Sequence, residues 1–97
     1  MNINNKDRAV AKIKRVINEL ELVLTTKNMD VLSVSSSEQI SKFIEIFELT
    51  LNGIITDNIP PRNNRILGIA RVVIDQWPFE LALGGLIVEA EQAYKEI

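Results

Sequence analysis

Apolar residues recur at helical spacing along most of the chain, and their rhythm predicts four helices. From about Asn5 to Thr26, Val10, Ile13, Ile17, Leu20 and Leu24 stand three and four residues apart and form one stripe, widened by Ala9, Val16 and Val23. Arg8, Lys12, Arg15 and Glu19 fall opposite that stripe, which predicts a solvated charged ridge. The period is lost over residues 27–34, a connection in which Met29, Val31 and Leu32 are placed to cover a core edge.

A second helix is expected to start at Ser35, because Glu38 follows three residues later in the reciprocal capping-box arrangement, with Ser37 as a rival cap. Ile40, Phe43, Ile44, Phe47, Leu51, Ile54 and Ile55 carry its apolar face to about Thr56. Pro60 and Pro61 then break it, since each proline lacks an amide donor and pushes the preceding residue toward extended geometry.

Pro61 suits the first turn of a third helix that sends Ile66, Ile69, Ala70, Val73 and Trp77 inward. A last helix from about Phe79 to Glu96 uses Leu83, Leu86, Ile87, Ala90 and Tyr94. The expected fold is all-α: one domain over residues 1–97, a compact bundle of about four helices. The short join at Trp77-Pro78 leaves two forms open, with the last two helices separate or a single rod kinked at Pro78. The expected core comprises Ile13, Ile17, Leu20, Phe43, Phe47, Leu51, Ile69, Val73, Trp77, Leu86 and Ala90.

Composition narrows the chemistry more than the fold. With no histidine and no cysteine, the commonest general base, the thiolate nucleophile, disulfides and most zinc sites are excluded. No segment approaches the ~20 apolar residues that span a bilayer, and residues 1–15 lack a signal-type apolar run. The expectation is a cytoplasmic protein that is not an enzyme and needs no cofactor or metal.

The net charge of −2 conceals a segregation. Residues 6–15 hold five basic side chains against one acid, whereas residues 38–57 set four acids against Lys42 and residues 80–96 set four against Lys95. The ridge Arg8, Lys12 and Arg15, with Lys6 and Lys14 nearby, is a candidate for phosphate contacts. Against it stand the acidic balance of the whole chain and the lack of interleaved aromatic residues. Glu45 with Glu48, and Glu89 with Glu91, are close enough in sequence to be weighed as catalytic carboxylate pairs, but acids opposite an apolar stripe are ordinarily solvated.

Gly84 and Gly85 fall within a helical pattern without phosphate-loop spacing. Each costs about 0.8–1 kcal/mol relative to alanine in a helix interior, so the pair implies close helix packing, a bend or a partner's approach. Some apolar residues also leave the core stripes. Ile46 and Leu49 lie beside Glu45 and Glu48, and Leu81 and Val88 bracket the glycine pair near Glu89 and Glu91. Two apolar strips beside acids have the composition of an interface centre with a charged rim.

The segment 66–97, ILGIARVVIDQWPFELALGGLIVEAEQAYKEI, resembles the carboxy-terminal half of small helical immunity proteins that accompany bacterial toxins in contact-dependent and related systems. The resemblance covers about a third of the chain. It implies a stoichiometric inhibitor that blocks a basic nuclease toxin. The leading expectation is thus a protein-binding module that holds a basic toxin domain through Glu45, Ile46, Glu48, Leu49, Leu81, Val88, Glu89 and Glu91. The alternatives are a self-associating helical adaptor, as a homodimer, and a small nucleic-acid-binding regulator.

Overall fold

The computed structural model describes residues 4–97; residues 1–3, part of the segment inspected for a signal sequence, lie outside the described residues. The described residues form five α-helices and one 3₁₀ turn, with no strand among them. Helix α1 (Asn5–Thr26) has the bounds that its apolar period predicts. Asn4 starts it in extended geometry and accepts a 2.7 Å hydrogen bond from the Asp7 amide, which relieves one of the orphan donors of the first turn. It stops at Lys27, whose φ of 53° is left-handed, with the Lys27 and Asn28 amides both donating to the Val23 carbonyl.

The connection after α1 is more ordered than its broken period suggests. Asn28 caps a short helix, α2 (Met29–Leu32), whose only buried residue is Val31. Helix α3 (Ser37–Ile55) then follows, but the cap is neither Ser35 nor Ser37. Ser36 Oγ accepts from the Gln39 amide at 3.1 Å, one position out of register with the expected Ser35–Glu38 box. Ser35 is instead buried, and its hydroxyl donates to Gln39 Oε1.

Residues 61–68 depart furthest from expectation. Pro61 opens a 3₁₀ turn (Arg62–Asn64), not an α-helix, and Ile66 is 69% exposed instead of pointing inward. Arg65 holds this segment by donating from Nε to the Pro60 carbonyl at 2.8 Å. Only after Gly68, at φ 83°, does α4 (Ile69–Gln76) begin, and it buries Ile69 and Val73, followed by Trp77, as its spacing predicts.

Pro78 separates the last two helices. Trp77 is extended at φ −91° and ψ 144°, the geometry imposed on a residue before proline, and α5 (Ala82–Lys95) starts only after a turn through Phe79 and Glu80. The kinked-rod form is therefore not the one adopted, and Phe79 belongs to the turn, not to the helix.

Helix α1, at ~33 Å for its 22 residues, is nearly as long as the greatest extent of a molecule measuring 36 × 27 × 24 Å. It packs against both α3 and α5, while α4 rides on α5. Lys6 at the start of α1 meets Asp57 just past the end of α3, and the Asn5 side chain donates to the Glu96 carbonyl just past the end of α5. Both neighbours therefore run antiparallel to α1. Being covered on two sides moves its buried stripe to Ala9, Ile13, Val16, Leu20 and Val23, leaving Val10, Ile17 and Leu24 half-buried.

Phe43, Phe47, Ile69, Val73, Trp77 and Ala90 join Ile13 and Leu20 in the core as expected. Ile17, Leu51 and Leu86 are its half-buried margin, and the deepest positions include Ile40, Ile54 and Ile87. No helix of the described residues is long and apolar enough to cross a membrane.

Candidate interaction surfaces

The acids that sequence grouped together on α5 have different lives in the structure. Glu91 is 2% exposed and takes no part in a surface. Its Oε1 accepts from the Ala70 amide at 2.9 Å and its Oε2 from the Leu67 amide at 3.2 Å. Lys95 Nζ stands 3.7 Å from Oε2, an i,i+4 pair that partly neutralises the buried carboxylate. Gly68 cannot cap α4 with a side chain, so a carboxylate from the neighbouring helix satisfies amides at the α4 start. Glu91 is thus a staple between α5 and α4, and it leaves the acidic surface to which its sequence neighbours assigned it.

Glu89 is exposed but engaged, 3.7 Å from Lys12 Nζ on α1. Nearby, burial pushes the Tyr94 phenol above its ordinary range, and the positive charge of Arg65 opposes that shift. Of the basic ridge, Lys6 pairs with Asp57 at 3.3 Å and Lys12 with Glu89, while Lys14 lies across the α1–α3 groove that Glu48 also lines. Lys12 and Lys14 stand about 200° apart at helical pitch, one facing α5 and the other α3. The five cations therefore do not make one continuous face.

On α3 the strip also divides. Ile46 is half-buried against the core, because it lies about 200° around the helix from Glu48. Glu45 and Leu49, four residues apart, share the outward face, with Leu49 66% exposed. Glu48 sits at the edge beside Asn52 and Ile55, in the groove with Lys14. Neither Glu45 nor Glu48 is in an ion pair among the described residues.

Leu81 and Val88 are half-buried, against the expectation of displaced, projecting residues. Both line an apolar groove of about 520 Å³ along the α4–α5 hairpin, floored by Val73 and Trp77. The two glycines in it differ. A Cβ on Gly84 would stand 3.0 Å from Val73 Cγ1 and 3.6 Å from the Trp77 ring, so its missing side chain lets α4 approach α5. A Cβ on Gly85 would meet nothing within 4 Å, so that position opens the groove to solvent.

Sequence reasoning missed the rim of this groove. Phe79 is 100% exposed and Ile74, on α4, is 68% exposed. The Pro78-Phe79 step was the available signal, since an aromatic residue just after a helix-stopping proline is held in a turn and away from a helix face. Among the described residues, no group of three or more Asp or Glu side chains converges as a metal site. The chain matches no family model and no curated protein.

Proposed function

We propose that this chain is a non-catalytic protein-binding module that holds a basic protein partner against the outer face of α3, in the manner of an immunity protein that blocks a toxin nuclease. The observation that carries the reading is Leu49, 66% exposed on the outward face it shares with Glu45 and next in sequence to Glu48, the two carboxylates having no ion-pair partner among the described residues. An exposed apolar residue with unpaired acids to one side of it supports the division of labour found in steered interfaces. The acids accelerate encounter with a basic surface, and the apolar centre excludes water and slows dissociation. The lack of histidine and cysteine supports the non-catalytic half of the proposal.

The test is capture of the bound protein from the native host, followed by co-expression with the neighbouring open reading frame. A toxic neighbour rescued by this chain, with rescue lost in Leu49→Arg, is the expected result. A harmless neighbour, or one that remains toxic despite an excess of the chain, removes the immunity reading.

A further inference from the structure

We infer that residues 60–81, which carry α4, form a flap that lifts from α5 while α1, α3 and α5 stay packed together, with Glu91 as its latch. The inference stands apart from the α3 reading, since Glu45, Glu48 and Leu49 lie outside the flap.

Little holds the flap. It begins at Pro60-Pro61, where neither residue has an amide donor to give a regular element. Helix α1 packs along both α3 and α5, so those three helices share two seams, whereas α5 is the one helix against which α4 packs extensively. Ile69, Val73 and Trp77 are the buried residues of the flap, and the rest are half-buried or exposed. Among the described residues, two side chains tie it to the remainder of the chain. Arg65 Nη1 donates to the main-chain oxygen of Ile97 at 3.2 Å, and Glu91 accepts from the Ala70 and Leu67 amides at 2.9 and 3.2 Å.

The seat also contains an opposing element. Trp77 Nε1 is buried and has no hydrogen-bond partner among the described residues. Closing the flap strips this donor of water without replacing it, and lifting the flap restores the lost hydrogen bond. Glu91 counts as the latch because its two oxygens grip the stretch on both sides of Gly68, where φ is 83° and α4 has no side-chain cap of its own. Lifting uncovers the α5 face that carries Gly84, Val88 and Glu91 at spacings of four and three. It also removes Val73 and Trp77 from the floor of the adjoining groove, so an occupant that touches them is coupled to closure of the flap.

Amide exchange of the whole chain, followed by NMR in rising urea below the unfolding transition and where exchange reports the opening equilibrium, tests this. Amides inside α4, such as Val72 and Trp77, exchange through an opening at least about tenfold more populated than the one that frees the protected amides of α1 and α3. That opening depends weakly on urea, because it exposes little surface. Ser36→Ala removes the α3 cap at an exposed position outside the flap. It destabilises the closed and lifted forms alike, so α1 and α3 exchange about fivefold faster while α4 does not change. Glu91→Gln weakens bonds that exist only in the closed form. Exchange in α4 therefore speeds by about tenfold, and exchange in α1 and α3 by the same factor.

Exchange of the α4 amides with the population and urea dependence of the α1 and α3 amides overturns the inference and makes the molecule one cooperative unit. A Ser36→Ala variant that speeds α4 as much as α3 does the same. Unchanged α4 exchange in Glu91→Gln removes Glu91 as the latch.

Discussion

Glu91 shows how much one side chain decides in a chain of this size. Its two oxygens satisfy amides on either side of Gly68, so replacing it removes the side-chain acceptor from both. A stranded buried donor costs about 1–3 kcal/mol, and Glu91→Ala is expected to lose on the order of 2–4 kcal/mol in urea unfolding. Glu91→Gln, which keeps one acceptor, should lose roughly half of that. Amide exchange at Leu67 and Ala70 should accelerate before global unfolding, the mark of a local staple rather than general core damage. Tyr94 gives a second residue-scale outcome. Its phenol holds a proton more tightly in the folded chain than at the ordinary value of 10.0, chiefly through burial. Between the unfolded and folded values the native state binds more protons, so this contribution to stability is intact below about pH 10 and falls as pH rises through the raised value. Tyr94→Phe should flatten the alkaline limb of the stability profile, and an unchanged limb would assign it to the lysines.

At the scale of elements, the informative comparison is between two adjacent glycines on one helix. Gly84 faces α4 and Gly85 faces solvent, although both carry the same cost in helix propensity. Gly85→Ala should raise stability by up to about 0.8–1 kcal/mol, because nothing lies within reach of the new methyl group. Gly84→Ala gains the same propensity but presses on Val73 at 3.0 Å, and overpacking of this kind typically costs about 1–3 kcal/mol. Thermal melts of the two variants should therefore move in opposite directions. The caps follow the same local logic. Ser36 holds the first turn of α3, and its neighbour Ser35 is engaged with Gln39, so the one-residue difference from the expected box reflects which hydroxyl is buried when α2 turns into α3.

For the whole molecule, Phe47 is the test of a single core. It is fully buried on α3 at the centre of an apolar cluster that draws on α1, α2, α3, α4 and α5. Phe47→Ala is expected to cost about 3–5 kcal/mol, a large share of the stability of a domain this small, and chemical denaturation should show it as an earlier midpoint with an unchanged slope. The proposed partner surface belongs to this scale too. Glu45→Lys with Glu48→Lys should lower the association rate and its dependence on salt, whereas Leu49→Arg should raise the dissociation rate, both measurable by surface-bound kinetics with the captured partner.

The sequence by itself determined what depends on neighbours a few residues away. Helical period placed α1 close to its observed bounds, Pro78 marked where a regular helix had to end or kink, and the missing histidine and cysteine excluded whole classes of chemistry. Tertiary structure decided everything that turns on which side of a helix another helix covers. A stripe period leaves its centre uncertain by a residue, so only the joint packing of α3 and α5 selected Val16 over Ile17 as the buried member of α1. Charge pattern likewise cannot distinguish a solvated carboxylate from one that caps a helix 21 residues earlier, and Glu91 reads in sequence like Glu89. Phe79 escaped notice for the opposite reason. A helical period extended through it in sequence, while in space the turn after Pro78 holds its ring outside the core and beside the groove.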